Sequence, residues 1–191
     1  EQILRSGDDV AIANVVLLFT DLKGFTSMYE ALGDAVAYNL VRYHFDYLTE
    51  LIERHGGVLV KTIGDAVMAA FAEPVEAVGA ALGAQLGIGV FNQDRDDGGI
   101  VLKVGLHQGP CIAVTSHDHL DYFGSTVNVA ARVQGESAGG DIVISDDLMT
   151  ATGVRGAFRL AGAAEPAEET AELSGVAKAV RLWRLQFDPS P

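Results

Sequence analysis

The chain has 191 residues, 49% of them hydrophobic, and a formal net charge of −13. This length predicts one domain with a full core and is too short for two large ones. The negative charge argues against nucleic acid or an anionic membrane surface as the main partner, so a polyphosphate site would depend on local Lys, Arg and metal. The only cysteine, Cys111, excludes an internal disulfide, is expected to be a small buried side chain and favours a reducing compartment. We therefore expect a cytoplasmic location.

The apolar pattern predicts strands and helices that alternate along the chain. A near-continuous apolar run predicts a strand buried on both faces at residues 14–20, and an apolar stripe predicts a helix at 33–55. His44 lies on that stripe and is expected to be a core histidine with satisfied hydrogen bonds. Strands are predicted at Val58–Ile63 and Ala66–Phe71, joined as a hairpin by Gly64-Asp65, and a helix begins at Pro74. A loop at 93–99 then leads to strands at 101–106 and 111–115 around a turn at Gly109-Pro110. The remaining predicted elements are a helix at 125–134, a strand at 142–145, a mobile surface connection at 161–170 and a final strand at 180–185. This order predicts an α+β domain in which helices pack on a sheet.

The segment 74–91 is barely long enough to span a membrane, and it carries Glu76 and Gln85. Its glycines at 79, 83 and 87 have the four-residue spacing that lets helices approach closely in a bilayer. A soluble helix packed tightly within a domain explains the same stripe. We favour the soluble helix and expect no membrane contact by this chain.

Asp21 ends the first predicted strand and is followed by a glycine turn into a helix. Backbone N–H groups of Gly24, Phe25 and Thr26 can hold phosphate oxygens there, while Asp21 binds a cation that bridges them. A helix-capping aspartate explains Asp21 equally well. Asp65, at the turn of the hairpin, favours the interpretation of Asp21 as a metal ligand. If the hairpin pairs beside the first strand, the carboxylates of Asp21 and Asp65 converge. Two carboxylates in one site repel each other unless a cation lies between them.

Lys61 is predicted, by strict alternation, to share a strand face with Leu59 and Ile63. An ammonium group among apolar neighbours costs stability unless it finds a partner. A lysine that reaches water at the edge of the sheet is the alternative.

Asn128 and Arg132 lie four residues apart and share one face of the predicted helix at 125–134, which Asp121 precedes. An ion pair between Arg132 and Glu136 on the surface is the alternative interpretation. That pair would not explain why Asn128 stands in an apolar run.

The segments FTDLKGFT, KTIGDAVMA and DYFGSTVNVAAR closely resemble the three signature segments of class III nucleotide cyclase catalytic domains, the adenylate and guanylate cyclases. The resemblance runs from about Val15 to Ser145, which is most of the chain, and the end GVAKAVRLWRL resembles the closing strand of the family more weakly. It implies a single ferredoxin-like, palm-type α+β domain whose sheet is mostly antiparallel.

By that resemblance the protein is a homodimer with two sites at the subunit interface, each binding two Mg²⁺ or Mn²⁺ ions. One chain would supply Asp21 and Asp65 as metal ligands, assisted by the Leu22 carbonyl, and the other would supply Lys61 and Asp121 to the adenine edge, Asn128 to the ribose and Arg132 to the transition-state phosphate.

The resemblance implies an adenylate cyclase domain that converts ATP to 3′,5′-cyclic AMP and pyrophosphate. A guanylate cyclase is the nearest alternative, but related guanylate enzymes have Glu and Cys where this chain has Lys61 and Asp121. A catalytically silent nucleotide-binding regulatory domain would usually lack a metal Asp or the catalytic Arg. A palm-type diguanylate cyclase would carry a GGDEF-like hairpin, whereas the turn here reads TIGDA.

Three points are less well determined by the motifs. The stretch between Gly109-Pro110 and Asp121 is a few residues shorter than in the animal enzymes, as in a subset of bacterial cyclases, so the dimer contacts around 117–120 stay open. The His117-Asp118-His119 cluster there resembles a metal site only superficially. The second phosphate-binding cation is Lys178 or Arg181. We also expect residues 1–12 to be a connector from an upstream region, residues 13–191 to be the catalytic domain, and a regulatory domain to lie elsewhere on the same full-length chain.

Overall fold

The computed structural model describes residues 9–93, 99–116 and 119–187. Its elements in chain order are β1 (Asp9–Leu22), α1 (Phe25–Leu32), α2 (Asp34–Arg54), β2 (Val58–Ile63), β3 (Ala66–Phe71), α3 (Pro74–Asn92), β4 (Leu102–Ser116), β5 (His119–Phe123), α4 (Ser125–Gly135), β6 (Asp141–Ser145), α5 (Asp146–Met149), α6 (Val154–Leu160), β7 (Ala167–Ala171) and β8 (Val180–Gln186). β1 therefore includes residues 9–12 of the expected connector.

The strands form one sheet in the order β2-β3-β1-β4-β6-β8-β7, with β5 paired to the outer part of β4. Among the described pairs, β4 and β6 run parallel and the others run antiparallel. The expected fold, a single α+β domain with a mostly antiparallel sheet, is confirmed. Because β3 pairs with β1 from Val16 opposite Phe71 to Thr20 opposite Val67, the turn of the β2–β3 hairpin lies beside the end of β1.

Alternation along β1 divides the core into two parts. Val16 and Leu18 are buried in the large cluster that includes side chains of α2, α3 and α6. Leu17 and Phe19 point to the opposite face and pack in a second cluster with Ala130 of α4. β1 is therefore buried on both faces, which explains why its sequence is a near-continuous apolar run.

The glycine stripe of α3 packs against α2 within the domain. A Cβ at Gly83 would lie 2.9 Å from Leu51 Cδ1, and one at Gly87 would lie 2.1 Å from the Tyr47 hydroxyl oxygen. Glycine at these positions lets the two helices approach closely, as the soluble interpretation expects. α3 is long and apolar enough to cross a membrane by length and composition alone, a test that core helices of soluble proteins also pass.

The predicted turn at Gly109-Pro110 is wrong, because β4 runs unbroken from Leu102 to Ser116. On one side β4 pairs with β1 throughout, including Asn14 opposite Pro110. On the other side β6 pairs with residues 103–106 and β5 with residues 112–116, so the intervening stretch has no partner strand. A proline is tolerated there because its missing N–H removes no ladder hydrogen bond.

The predicted connection at 161–170 is also wrong in its second half, where β7 forms an edge strand. Its acidic side chains Glu168 and Glu169 form ion pairs with Arg181 and Arg184 of β8. A short polar strand held by charges on its neighbour carries little apolar pattern, which explains the missed prediction. Of the predicted loop at 93–99, residues 94–98 lie outside the described residues.

Candidate active site

The carboxylates of Asp21 and Asp65 lie together at one end of the sheet, as predicted. Asp21 stands near the end of β1, and Asp65 stands in the turn between β2 and β3. The two side chains are within hydrogen-bonding reach of each other. The backbone N–H of Leu22 donates to Asp65 Oδ2 at 3.1 Å and so holds this carboxylate beside β1. Gly64 has a φ of 64°, a left-handed value that suits glycine and lets the hairpin close in two residues.

The electrostatics of this carboxylate pair suit a bound cation. Burial, and then the hydrogen bond and negative charge of Asp65, raise the pKa of the Asp21 carboxyl to about 6. Lys103 lies directly across from Asp21 in the β1–β4 register, and its charge lowers that pKa. Among the described residues no three His, Cys, Asp or Glu side chains form a metal-binding group, so a bound cation would take further ligands from phosphate or water.

Lys103 is a site residue that the sequence analysis missed. Like Lys61, it is a lysine among apolar residues in a predicted strand, and this unusual position was the signal that the sequence offered. What the sequence alone could not supply was the register that places Lys103 opposite Asp21.

The predicted phosphate loop is the beginning of α1. Gly24 takes a left-handed conformation with φ of 70° and caps the helix, which begins at Phe25. The Lys23 N–H donates to Val101 O at 2.9 Å and anchors the loop to the chain before β4. The first N–H groups of a helix have no acceptor within the helix, so those of Phe25 and Thr26 are available to an anion next to the carboxylate pair.

Lys61 and Asp121 form an ion pair that links β2 to β5. Lys61 Nζ lies 2.7 Å from Oδ1 and 2.8 Å from Oδ2 of Asp121. Their side chains are 39% and 29% exposed, so a ligand can reach the pair. The Tyr122 N–H donates to Asp121 Oδ1 at 2.8 Å and fixes this carboxylate further. The predicted need of Lys61 for a partner is therefore met by Asp121.

Lys61 shares its strand face with Ile63, as predicted, but not with Leu59. The register of β2 shifts between Leu59, opposite Ala69, and Lys61, opposite Met68. Ala69 and Met68 belong to core clusters on opposite faces of the sheet, and residues paired across strands share a face. A bulge at Val60 thus turns Lys61 to the face that carries α4, which strict alternation could not predict.

Asn128 and Arg132 lie on α4, the first exposed and the second partly buried. α4 lies close against the sheet, since a Cβ at Gly105 would be 2.2 Å from the Gln134 Cα. No ion pair joins Arg132 to Glu136 in the part of the chain that the structure describes. Arg132 also makes no ion pair with Asp21 or Asp65 among those residues. We refer to Asp21 with Asp65, and to Asn128 with Arg132, as two half-sites.

The connection between β7 and β8 distinguishes the two candidates for the second phosphate-binding cation. A Cβ at Gly175 would lie 3.4 Å from Arg132 Nη2, so this connection approaches the arginine, and Lys178 is exposed on it. Arg181 instead pairs with two carboxylates on other elements and shares its face with Trp183, away from α4. This geometry favours Lys178.

Two side chains that the sequence predicts to be buried lie in the core. His44 and Cys111 are buried, at 0% and 2% exposure, as expected. The expectation that His44 has satisfied hydrogen bonds is wrong, since neither ring nitrogen has a partner among the described residues. Burial lowers the pKa of His44 to about 4, so the ring is neutral at physiological pH. His117 and Asp118 lie outside the described residues.

Comparison with known proteins gives a consistent result. The family model for the adenylate and guanylate cyclase catalytic domain matches residues 9–166. An adenylate cyclase of Lachancea kluyveri is 33% identical over 156 residues, which covers 71% of this chain and 8% of that protein. This chain therefore spans a small part of that relative's length.

Solved structures agree with this fold. Adenylate cyclase from Trypanosoma brucei in its monomeric state has a TM-score of 0.76 at 25% identity, covering 91% of this chain and 89% of that one. The guanylyl cyclase Cya2 has a TM-score of 0.79 at 23% identity, covering 94% of both chains. The chain belongs to the family of adenylate and guanylate cyclase catalytic domains, which bind a nucleotide substrate.

Proposed function

We propose that this domain is an adenylate cyclase that converts ATP to 3′,5′-cyclic AMP and pyrophosphate at sites shared between two copies of the chain. The observation that carries the choice of ATP is the accessible Lys61–Asp121 pair. Support for a cyclase in general comes from the family and from the two half-sites described above.

The chemistry of the pair matches adenine. The adenine edge offers an acceptor at N1 and a donor at the N6 amino group, so its readers must be a donor and an acceptor. Lys61 supplies the donor and Asp121 the acceptor. Guanine offers a donor N1–H and an acceptor O6, and would need the opposite arrangement.

The carboxylate pair fits divalent cations. Asp21 and Asp65 are hard oxygen ligands, and burial together with mutual repulsion leaves them under-compensated without a cation. Two Mg²⁺ or Mn²⁺ ions would supply Lewis-acid activation of the ribose 3′-hydroxyl and charge neutralisation at the phosphates. Asp21, Asp65 and the Leu22 backbone are the groups that would hold them.

The remaining groups bind and orient the nucleotide for in-line attack of the 3′-oxygen on the α-phosphorus, with pyrophosphate leaving. The N–H groups at the start of α1 and the cation Lys103 face the phosphate chain from the metal side. Asn128 orients the ribose, and Arg132 stabilises the charge that develops on the α-phosphate oxygens. Lys178 contributes a further cation to the leaving pyrophosphate.

An exposed apolar surface supports the proposed homodimer. The beginning of β1 and the end of β4 form a two-stranded arm, in which Ile12 pairs with Ile112 and Val10 pairs with Val114. Ile12 is 83% exposed, Val10 49% and Ile112 44%. A second copy that covers this face would bury apolar area and bring Asn128 and Arg132 of one chain to the carboxylates of the other.

The test is to incubate the domain separately with ATP and GTP, each with Mg²⁺ or Mn²⁺, and to identify the products by mass spectrometry. We expect cyclic AMP to form much faster than cyclic GMP. Faster formation of cyclic GMP would make the domain a guanylate cyclase, and no cyclic product with any pair would indicate a silent nucleotide-binding domain. Asp65→Ala protein is the control for contaminating activity.

A further inference from the structure

A fully buried carboxylate, Asp141, lies at the turn that follows α4. It is 0% exposed and accepts hydrogen bonds from the Gly139 N–H at 3.0 Å and the Ala138 N–H at 3.1 Å. The Ser137 hydroxyl and the Arg184 guanidinium donate to the same carboxylate. A buried carboxylate is stable only when it is paired and hydrogen-bonded, so this turn and Arg184 depend on each other.

Arg184 joins three elements besides its own strand. Its Nη2 donates to the carbonyl of Glu136, at the end of α4, at 2.9 Å. Its Nε and Nη2 donate to Glu169 of β7 at 3.0 and 2.7 Å, and its Nη1 pairs with Asp141 at the start of β6. The planar guanidinium uses its fork of donors on all three, which a lysine could not reproduce. Its side chain is 17% exposed.

Two of the elements that Arg184 joins, α4 and β7, either carry Arg132 or lead to the segment beside it. The Glu136 N–H donates to the Arg132 carbonyl at 3.2 Å, so the bonded end of α4 is one helical turn from Arg132. β7 leads into the connection whose Gly175 approaches the Arg132 guanidinium. Arg184 therefore holds the helix that carries Arg132 and the strand that leads to the segment beside it.

We propose that Arg184, with Asp141 and Glu169, is a positioning residue for Arg132, and this inference rests on the proposed cyclase function. It contacts no substrate. It fixes the end of α4 against β6 and β7, so that the Arg132 guanidinium is already oriented when charge develops on the phosphate. Preorganised donors of this kind act mainly on the transition state.

Steady-state kinetics separate positioning from general destabilisation. We expect Arg184→Met to lower kcat about tenfold and Arg184→Lys to lower kcat less. In both variants the KM for ATP should change less than about twofold, because an interaction made only in the transition state contributes to kcat and not to substrate binding. Glu169→Gln, which keeps the buried Asp141 pair, is the variant least at risk of misfolding and should show the same pattern more weakly. A change confined to KM, or an unchanged kcat in all three variants, would overturn the proposal.

A matched control exists on α6, where Arg155 packs against the same strand from its other face. Arg155 lies 4.5 Å from the ring centre of Trp183, which points to the opposite face of β8 from Arg184. Arg155→Lys makes the same substitution beside the same strand without touching α4, and we expect it to leave kcat unchanged. An equal loss of kcat in Arg155→Lys would show that β8 contributes only stability.

A double-mutant cycle tests whether Arg184 acts through Arg132. If it does, Arg184→Met should cost nothing further in an Arg132→Ala background, since the group that it positions is gone. Multiplicative losses in the double mutant would contradict the proposal.

Amide hydrogen exchange keeps this test independent of the proposed activity. In Arg184→Met we expect a selective loss of protection at residues 133–136, with protection in α2 and α3 unchanged, and neither effect in Arg155→Lys. Unchanged protection at the end of α4 would overturn the positioning role even if the wild-type domain were inactive. An inactive wild type with the expected exchange pattern would instead overturn the proposed function alone.

Discussion

Two pairs of charged side chains in this site have opposite electrostatic character. Lys61 and Asp121 attract each other at 2.7 Å and are satisfied without a ligand. Asp21 and Asp65 repel each other, and the pKa of Asp21 is raised to about 6 as a result of burial and of Asp65. The first pair is therefore ordered in advance for selective hydrogen bonding, whereas the second pair is destabilised as long as no cation is bound.

Removing one carboxylate of the repelling pair should have the largest effect. We expect Asp65→Ala to lower the cyclase rate by about a thousandfold or more, because one remaining carboxylate cannot hold the cations that neutralise a triphosphate. The rate is measured at saturating Mn²⁺, with Asp46→Ala, an exposed aspartate on α2, as the control. Near-normal activity in Asp65→Ala would make Asp65 a structural turn residue.

Inverting the attracting pair should change base selectivity rather than abolish activity. We expect Lys61→Glu combined with Asp121→Cys to shift the ratio of ATP to GTP turnover by about a hundredfold toward GTP, since a mismatched base leaves the polar groups that face its edge unpaired. The measurement is kcat/KM for both nucleotides in the wild type and the double variant. Equal turnover of ATP and GTP by the wild type would show that this pair does not read the base.

The repelling pair should make metal use depend on pH. Because the pKa of Asp21 is about 6 without metal, a proton must leave before a cation can bind. Below that pH we expect the Mn²⁺ concentration for half-maximal activity to rise, by up to about tenfold per pH unit. A metal requirement that stays constant between pH 5 and pH 7.5, at saturating ATP, would contradict this account of Asp21.

The same repulsion should appear, as the smallest effect, in the stability of the metal-free domain. The folded-state pKa of Asp21 lies above its ordinary value of 3.8, so its favourable contribution exists at low pH and is lost as pH rises through about 6. We therefore expect Asp21→Asn to raise the melting temperature slightly at pH 7.5 and clearly less at pH 4.5, which lies between the two pKa values. A lower melting temperature at pH 7.5 would mean that the Asp21 charge is compensated in the fold.

The sequence predicted these two pairs unequally well. The convergence of Asp21 and Asp65 was predictable, because a run buried on both faces identifies a central strand and a two-residue turn identifies a hairpin. The prediction that Lys61 shares a face with Leu59 was wrong because a bulge at Val60 breaks alternation between these two residues. Lys103 was missed because its role depends on register across β1 and β4, which local pattern does not encode.

The unbroken β4 shows a similar limit. Gly109-Pro110 is a turn signal in isolation, yet it lies within β4. Proline fits there because neither β5 nor β6 pairs with this stretch, so no hydrogen bond to those strands is lost with the N–H. The edge strand β7 was missed for a related reason: its glutamates are held by ion pairs with arginines of β8, and the sequence of β7 alone does not show these pairs. In each case the deciding interaction comes from residues distant in sequence.

If a second copy of the chain completes the half-sites of the first, mixing two inactive variants should restore activity. In the Asp21→Ala and Arg132→Ala homodimers both sites are broken, whereas a mixed dimer has one site with both lesions and one with none. With random exchange about half of the dimers are mixed, so we predict that about a quarter of wild-type activity returns, at protein concentrations that saturate dimer formation. If the mixture stays inactive while sedimentation shows that the dimers exchange subunits, the site is contained within one chain and the account is contradicted.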